Sequence, residues 1–189
     1  MREGTAEDFK TDFQTPVPVA NYMISLLPLW VRTVCEPTRG IGNISDGLIR
    51  AGYDVTAPDD YFLMDPDARF DAFVMNPPFS HKFTRMANAP LEVHAKGMRM
   101  GYWFLTDAMK RTDNVIALMP WFTISDSDVR LRMLKRYGLK SLTALPRKTF
   151  EFARIQTVVI ELERGYAGTT AFEAYDCLFD EEQHKLFVP

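Results

Sequence analysis

The sequence predicts an α/β protein built on a mostly parallel sheet. Three observations carry that reading. Short apolar runs alternate with stretches of helical spacing along most of the 189 residues. The run DAFVMN at 71–76 is almost wholly apolar, as a strand covered on both faces must be. Three predicted strands run into loops rich in acids, glycine or proline, and parallel sheets collect ligands at that carboxyl edge. The loops are EPTRGIGN (36–43), DDYFL (59–63) and NPPF (76–79).

Taken in order, Thr15-Pro16 suits a helix start, with Thr as cap and Pro at the first position. Val19, Ala20, Met23, Ile24 and Leu27 then recur at helical spacing. VRTVCE at 31–36 reads as a short strand and PTRGIGN as a turn. A helix follows over about 44–51 and ends at Gly52. YDVTA at 53–57 is the second strand and 71–76 the third. Residues 80–97 read as a loop, long for a compact domain and therefore expected to be functional or mobile. Residues 98–111 form a helix with Tyr102, Leu105 and Met109 on one side. NVIALMP at 114–120 is a fourth strand, and 126–137 a further helix. LKSLTALP and IQTVVIELE supply the last two clear strands. There is no internal repeat and no low-complexity linker, so the expectation is one domain over 1–189.

Composition narrows the class. Apolar residues make up 47% and charged residues 25%, ordinary for a soluble globular chain. No apolar run approaches the roughly 18 residues of a membrane span. The polar, acidic start MREGTAEDFKTDF does not read as a secretory signal. Cys35 and Cys177 lack metal-ligand spacing, and His81, His94 and His184 form no zinc pattern. A reducing cytoplasm and no metal are the expectation. The formal net charge is −3, but residues 82–154 carry fourteen Lys or Arg against six Asp or Glu. That net of +8 begins just after NPPF. A solvated helical face would explain it, and so would a surface that meets phosphates.

The chemistry-bearing residues gather in four pieces. In EPTRGIGN, Gly40 and Gly42 allow a tight turn and close backbone approach to a ligand, and Glu36 offers a carboxylate to a cationic group. In DDYFL, an acid at the strand end suits ribose hydroxyls, though two solvated aspartates in a turn would look the same. DFQTP (12–16) is by itself only a helix start. In NPPF, the Asn76 side chain and the Pro77 backbone provide two carbonyls on a stretch that proline keeps rigid. Two acceptors can take both hydrogens of one amino group, and Phe79 offers a stacking face to a planar base.

In this order the four pieces resemble the amino-methyltransferases that use S-adenosylmethionine, in particular the DNA adenine (N6-amino) methyltransferases of NPPF type. The likeness continues through VIALMPWFTIS (115–125) and LPRKTFEFARIQTVVIELERG (145–165), so it covers about residues 12–165. It implies a Rossmann-like class I methyltransferase fold: a mostly parallel twisted sheet with an antiparallel closing strand, in three αβα layers. It also implies S-adenosylmethionine as cofactor. Phe13, Thr15 and Pro16 would line its methionine end. Glu36, Pro37, Gly40 and Gly42 would form the main cofactor loop. Asp59 and Asp60 would serve the ribose and the adenine border, in an order left open, with Tyr61 and Phe62 beside the adenine ring. The family usually places a helix and a further strand between its two cofactor acids. Here the helix looks deleted.

The same resemblance makes Asn76, Pro77, Pro78 and Phe79 the catalytic stretch, acting on a base taken out of the stack. Lys82, Arg147, Lys148, Phe150 and Phe152 would bind substrate, with Phe150 or Phe152 as the opposite stacking face. DNA is the expected partner. No separate target-recognition domain is apparent, so a weak sequence preference, a short site read by the loop, or a protein partner or oligomer would supply specificity. Small size is in keeping with a phage or mobile element. Two other readings stay open: a methyltransferase acting on RNA or a protein glutamine amide, and an inactive nucleic-acid-binding module of the same fold.

Overall fold

The computed structural model describes residues 13–79, 87–94, 99–150 and 155–175. The elements run α1 (Val17–Ser25), β1 (Thr33–Cys35), α2 (Asn43–Arg50), β2 (Asp54–Thr56), a 3-10 turn at Tyr61–Leu63, and β3 (Ala72–Met75). A second 3-10 turn at Leu91–His94 precedes α3 (Met100–Arg111), β4 (Asn114–Pro120), α4 (Phe122–Ser125) and α5 (Asp128–Tyr137). The chain then adds β5 (Leu139–Ala144), β6 (Thr157–Glu163) and β7 (Ala171–Ala174).

Seven strands form one sheet in the order β2-β1-β3-β4-β6-β5-β7. β2, β1, β3 and β4 pair in parallel. β6 runs antiparallel between β4 and β5, and β7 pairs parallel with β5. β6 is thus the one reversed strand, the closing strand that the sequence predicts.

The alternation of side chains along β3 and β4 divides the core in two. Phe73, Met75, Val115 and Ala117 face α3, where Phe104, Leu105 and Ala108 meet them, with Leu134 of α5 alongside. Val74, Ile116 and Leu118 face the other way, onto Val19 and Met23 of α1 and Ile44 and Leu48 of α2. Each of the larger of these side chains contributes about 1.5–3 kcal/mol by leaving water. Helices therefore cover both faces, which is why the third predicted strand reads as an uninterrupted apolar run.

Several details differ from the sequence reading. Thr15 does not cap α1. Pro16 holds the capping position without a side-chain bond, Pro18 lies in the first turn, and Thr15 is buried beneath the next loop. The short helix α4 at Phe122–Ser125, just after β4 ends at Pro120 as predicted, has no counterpart in the sequence reading. β7 was not foreseen: all four of its residues are exposed, so no burial pattern marks it, and pairing with β5 alone makes it a strand. The 80–97 stretch contains the Leu91–His94 turn, which anchors in the core through Val93. Between β2 and β3 the only regular structure is the 3-10 turn at Tyr61–Leu63, matching the missing helix.

Asp71, just before β3, ties three strands together at their amino ends. Its carboxylate accepts the backbone N–H groups of Arg32 (2.8 Å) and Thr33 (2.9 Å), and its own N–H donates to the Thr33 hydroxyl (3.0 Å). Its carbonyl accepts from the Thr112 hydroxyl (2.8 Å) and the Asn114 amide (3.1 Å) at the start of β4. The Thr33 and Arg32 N–H donors hold the Asp71 carboxyl below the usual carboxylate range. Asp71→Ala should therefore lose about 2 kcal/mol of stability, roughly 4–8 °C in Tm, in urea and thermal unfolding. Asp71→Asn keeps an acceptor oxygen and should lose less than half as much. Equal losses would show that the hydrogen bonds are not what matters.

Candidate active site

β1 lies between β2 and β3, so chain order reverses beside it, and in such sheets ligands bind at the carboxyl ends of the strands flanking that point, here β1 and β3. The loops predicted to carry chemistry leave from these two ends. Glu36 and Pro37 follow β1, and both are buried. Asn76 follows β3 directly. The loops touch: the Thr38 hydroxyl donates to the Asn76 carbonyl at 3.2 Å.

Residues 13–15 bridge the two loops. Gln14 Oε1 accepts the backbone N–H of Ile41 at 2.9 Å. The Asn43 amide donates to the Thr15 carbonyl at 2.8 Å, and the Asn76 amide donates to the Phe13 carbonyl at 2.9 Å. DFQTP is therefore more than a helix start. Gln14 and Asn43 were missed by sequence reasoning, although a Gln between an aromatic and Thr-Pro was a polar side chain awaiting a use. Gly40 has φ +57, and a Cβ there would overlap Gln14 Oε1. Its glycine is required by this bridge as well as by the turn. Gly42, buried with φ +97, sits at the start of α2.

Glu36 is 2% exposed, and its Oε2 is buried without a hydrogen-bond partner. Burial pushes its carboxyl up to about 7, against the opposing pull of hydrogen bonding from Ser45 and of the Arg39 charge. An unsatisfied carboxylate oxygen in this position is an acceptor awaiting a cationic or donor group. Cys35, next to it in β1, is buried and its thiol is pushed up to about 12, so it is inert.

The acids after β2 separate in their surroundings. Asp59 is exposed. Asp60 is engaged within the protein: Oδ1 accepts from Phe62 N (3.0 Å) and Oδ2 from the Asn88 amide (2.8 Å). Tyr61 is core, 4% exposed, edge-on to Phe73 and Trp103. Its hydroxyl donates to Asp107 (2.7 Å), which also accepts from Arg111 Nε (2.8 Å). Phe62 is half-buried, 5.3 Å from the Trp103 ring.

Phe79 is half-buried and borders a shallow pocket with Arg99, Tyr102, Phe122, Thr123 and Arg130. Pro77 is buried and Pro78 half-buried, so the stretch is held from below. Phe13 lies 6.5 Å from Phe150, a tilted pair. Phe150 itself is 4% exposed and packs with α1 and β6 residues, so it serves the core here. Arg147 and Lys148 are exposed. Lys82 and Phe152 lie outside the described residues. Among the described residues no group of three or more His, Cys, Asp or Glu is placed to hold a metal ion, and no helix is long and apolar enough to cross a membrane.

The raised Glu36 carboxyl has a consequence for stability. The folded state favours its protonated form, so its contribution is full below about pH 4.5 and is lost as pH rises through about 7. Glu36→Gln should be more stable than the parent chain at pH 8, by about 3 kcal/mol. The difference should vanish near pH 4.5. Chemical denaturation at the two pH values measures it, and a pH-independent difference would refute the assignment.

No protein-family model matches the sequence, and no curated protein matches it as a relative. Solved structures do match the fold. A Listeria monocytogenes protein assigned to the class I S-adenosylmethionine-dependent methyltransferases superposes with TM-score 0.63 at 13% identity, over 97% of this chain and 72% of that one. The type I restriction-modification system methyltransferase subunit from Streptococcus thermophilus gives 0.61 at 17%, over 86% of this chain and 47% of that one. The DrdV protein in its complex with DNA gives 0.62 at 12%, over 87% and 28%. The chain thus spans about half the length of the restriction-modification subunit it matches. At these identities the likeness is one of architecture, and the chain has the fold of the class I S-adenosylmethionine-dependent methyltransferases.

Proposed function

We propose that this chain transfers a methyl group from S-adenosylmethionine to the exocyclic amino group of adenine in DNA. One observation carries the proposal. The Asn76 amide nitrogen is spent on the Phe13 carbonyl, which turns its acceptor oxygen toward the opposite side of the amide, on a backbone fixed by two prolines. Asn76 Oδ1 and the Pro77 carbonyl are then two acceptors for one planar amine, with Phe79 next in sequence to stack on its ring.

The cofactor's chemistry fits the residues at this edge. The orphaned Glu36 oxygen suits its ammonium group, and exposed Asp59 suits the ribose hydroxyls, while Asp60 holds the loop through Phe62 and Asn88. When bound, S-adenosylmethionine supplies a methyl group already activated on a sulfonium. The protein's part is position and polarity. Hydrogen bonds from the amine to Asn76 and Pro77 oppose delocalisation of the nitrogen lone pair into the ring. Stacking on Phe79 fixes the plane of the base. Lys82, Arg147 and Lys148 belong to the basic segment proposed to meet the phosphates. Phe152 is the remaining candidate for an opposite stacking face, since Phe150 is packed into the core.

DNA is favoured by the +8 segment that starts beside Phe79 and by the restriction-modification and DNA-bound neighbours of the fold. We further propose that sequence choice depends on a partner or on protein beyond this domain, as the restriction-modification subunit sharing the fold is about twice as long. Action in a reducing cytoplasm fits the two cysteines.

Labelled methyl transfer should be offered separately to DNA, RNA and a glutamine-containing protein, followed by nucleoside analysis. N6-methyladenine from the DNA arm is the expected product. Label in RNA or protein alone would reassign the substrate, and none in any arm would leave a binding module. Asn76→Ala should lower transfer at least about 100-fold while leaving cofactor affinity within about twofold. Near-normal turnover in that variant would sink the mechanism. Cofactor affinity should also fall as pH drops below about 7, where Glu36 takes up a proton, and Glu36→Gln should flatten that dependence in calorimetric titrations.

A further inference from the structure

The pocket beside Phe79 holds two arginines that the chemistry above does not use. Arg99 precedes α3, and Arg130 lies in the first turn of α5. They approach one space because α3 starts against the catalytic stretch. A Cβ on Gly101, two residues after Arg99, would lie 3.5 Å from both the Pro78 carbonyl and the Phe79 ring.

Both guanidinium groups lie over aromatic rings. Arg99 Cζ is 4.1 Å from the Phe122 centroid, and Arg130 Cζ is 5.1 Å from that of Tyr102. Stacking occupies the flat face of a guanidinium and leaves its N–H edge for a planar or tetrahedral oxyanion. Arg130 Nη1 is buried and has no hydrogen-bond partner. The carboxylate paired with Arg99, Asp126, stands 3.8 Å away with both side chains about half exposed, too far for a hydrogen bond. Two fixed cations therefore face the pocket against one loosely held carboxylate, and one of them carries an unsatisfied buried donor.

We infer that Arg99 and Arg130 seat the backbone phosphate next to the nucleotide whose base rests on Phe79. The inference rests on the nucleic-acid reading of the site. A phosphate oxygen supplies the acceptor that Arg130 Nη1 lacks, and a second oxygen meets Arg99, a charge-assisted arrangement that guanidinium forks form readily. The phosphate would thereby fix where the extruded nucleotide sits along Phe79.

The test uses the full chain with S-adenosylhomocysteine and a fluorescent adenine-containing DNA duplex, with affinity read by anisotropy from 50 to 200 mM salt. Arg99→Gln and Arg130→Gln should each weaken binding about tenfold and reduce the slope of log affinity against log salt by about 0.9. Affinity for S-adenosylhomocysteine alone should not change. Excess inorganic phosphate at constant ionic strength should compete with duplex on the parent chain but not on the variants. Unchanged duplex affinity and slope in Arg99→Gln, in a chain that still methylates DNA, would overturn the inference and leave the proposed function standing. If Arg130→Gln fails to fold, the half-exposed Arg99 variant decides alone. A parent chain that neither binds nor methylates nucleic acid would remove both.

Discussion

Asp71 fixes how far each of three strands runs, and the site at their other ends depends on that. Its carboxylate sets the start of β1 through Arg32 and Thr33, and its carbonyl sets the start of β4 through Thr112 and Asn114. With the amino ends registered, Val34 pairs with Ala72 and Ala72 with Asn114. β1 is three residues long and β3 four, so their carboxyl ends arrive together with no room for slippage. A one-residue shift would turn Phe73 and Met75 onto the wrong helix layer, and the core forbids it. Thr38 and Asn76 come into contact through this register, although thirty-eight residues separate them. The bridge from residues 13–15 then locks the ends that Asp71 has aligned.

The two ends of these strands are built on opposite principles. At the Asp71 end each polar group described has partners. At the other end Glu36 is buried with an oxygen left over, and Arg130 has a buried nitrogen left over. Interiors rarely tolerate such groups, because each carries the cost of lost hydration without a compensating bond. A third such group among the described residues, Thr157 Oγ1, starts β6 opposite Pro120, so these orphaned groups gather at the carboxyl ends of the parallel strands, the part of the fold not optimised for stability.

The sequence made the sheet legible where burial on both faces forced an unbroken apolar run, as in β3 and β4. It made the strand-end loops legible because Gly40, Gly42 and the paired prolines are costly residues with few structural uses. It concealed β7, whose four residues are all exposed and which is held by pairing with β5 and by the edge-on contact of Phe172 with Trp121. The Thr15 cap failed because capping preference is a local rule, and burial of Thr15 beneath the α2 loop overrides it. Tyr61 and Phe150 looked like site aromatics and are packed as core, since an aromatic near a loop carries no mark of which way it turns. The Arg99–Arg130 pair was invisible for a related reason. Thirty-one residues apart, the two meet only because α3 and α5 lie on the same face of the sheet.

Charge along the chain changes sign just after the proposed catalytic stretch, and the proposed reaction gives that division a physical meaning. Residues 1–81 carry twelve acids against six bases, while residues 82–154 carry six against fourteen. The first half builds β1, β2 and β3, with Glu36 and Asp59 at their ends. The second half supplies α3 and α5, with Arg99 and Arg130 beside Phe79. A sulfonium cofactor is a cation and a nucleic acid is a polyanion, so one crevice serving both needs opposite potentials on its two sides. A uniformly basic edge would attract DNA but repel the cofactor, and a uniformly acidic edge would do the reverse. In the proposed reaction, a sign change at Phe79 would put the reacting amine at the boundary between the two fields. Neither ligand then has to enter the potential that disfavours it for the amine and the methyl group to meet.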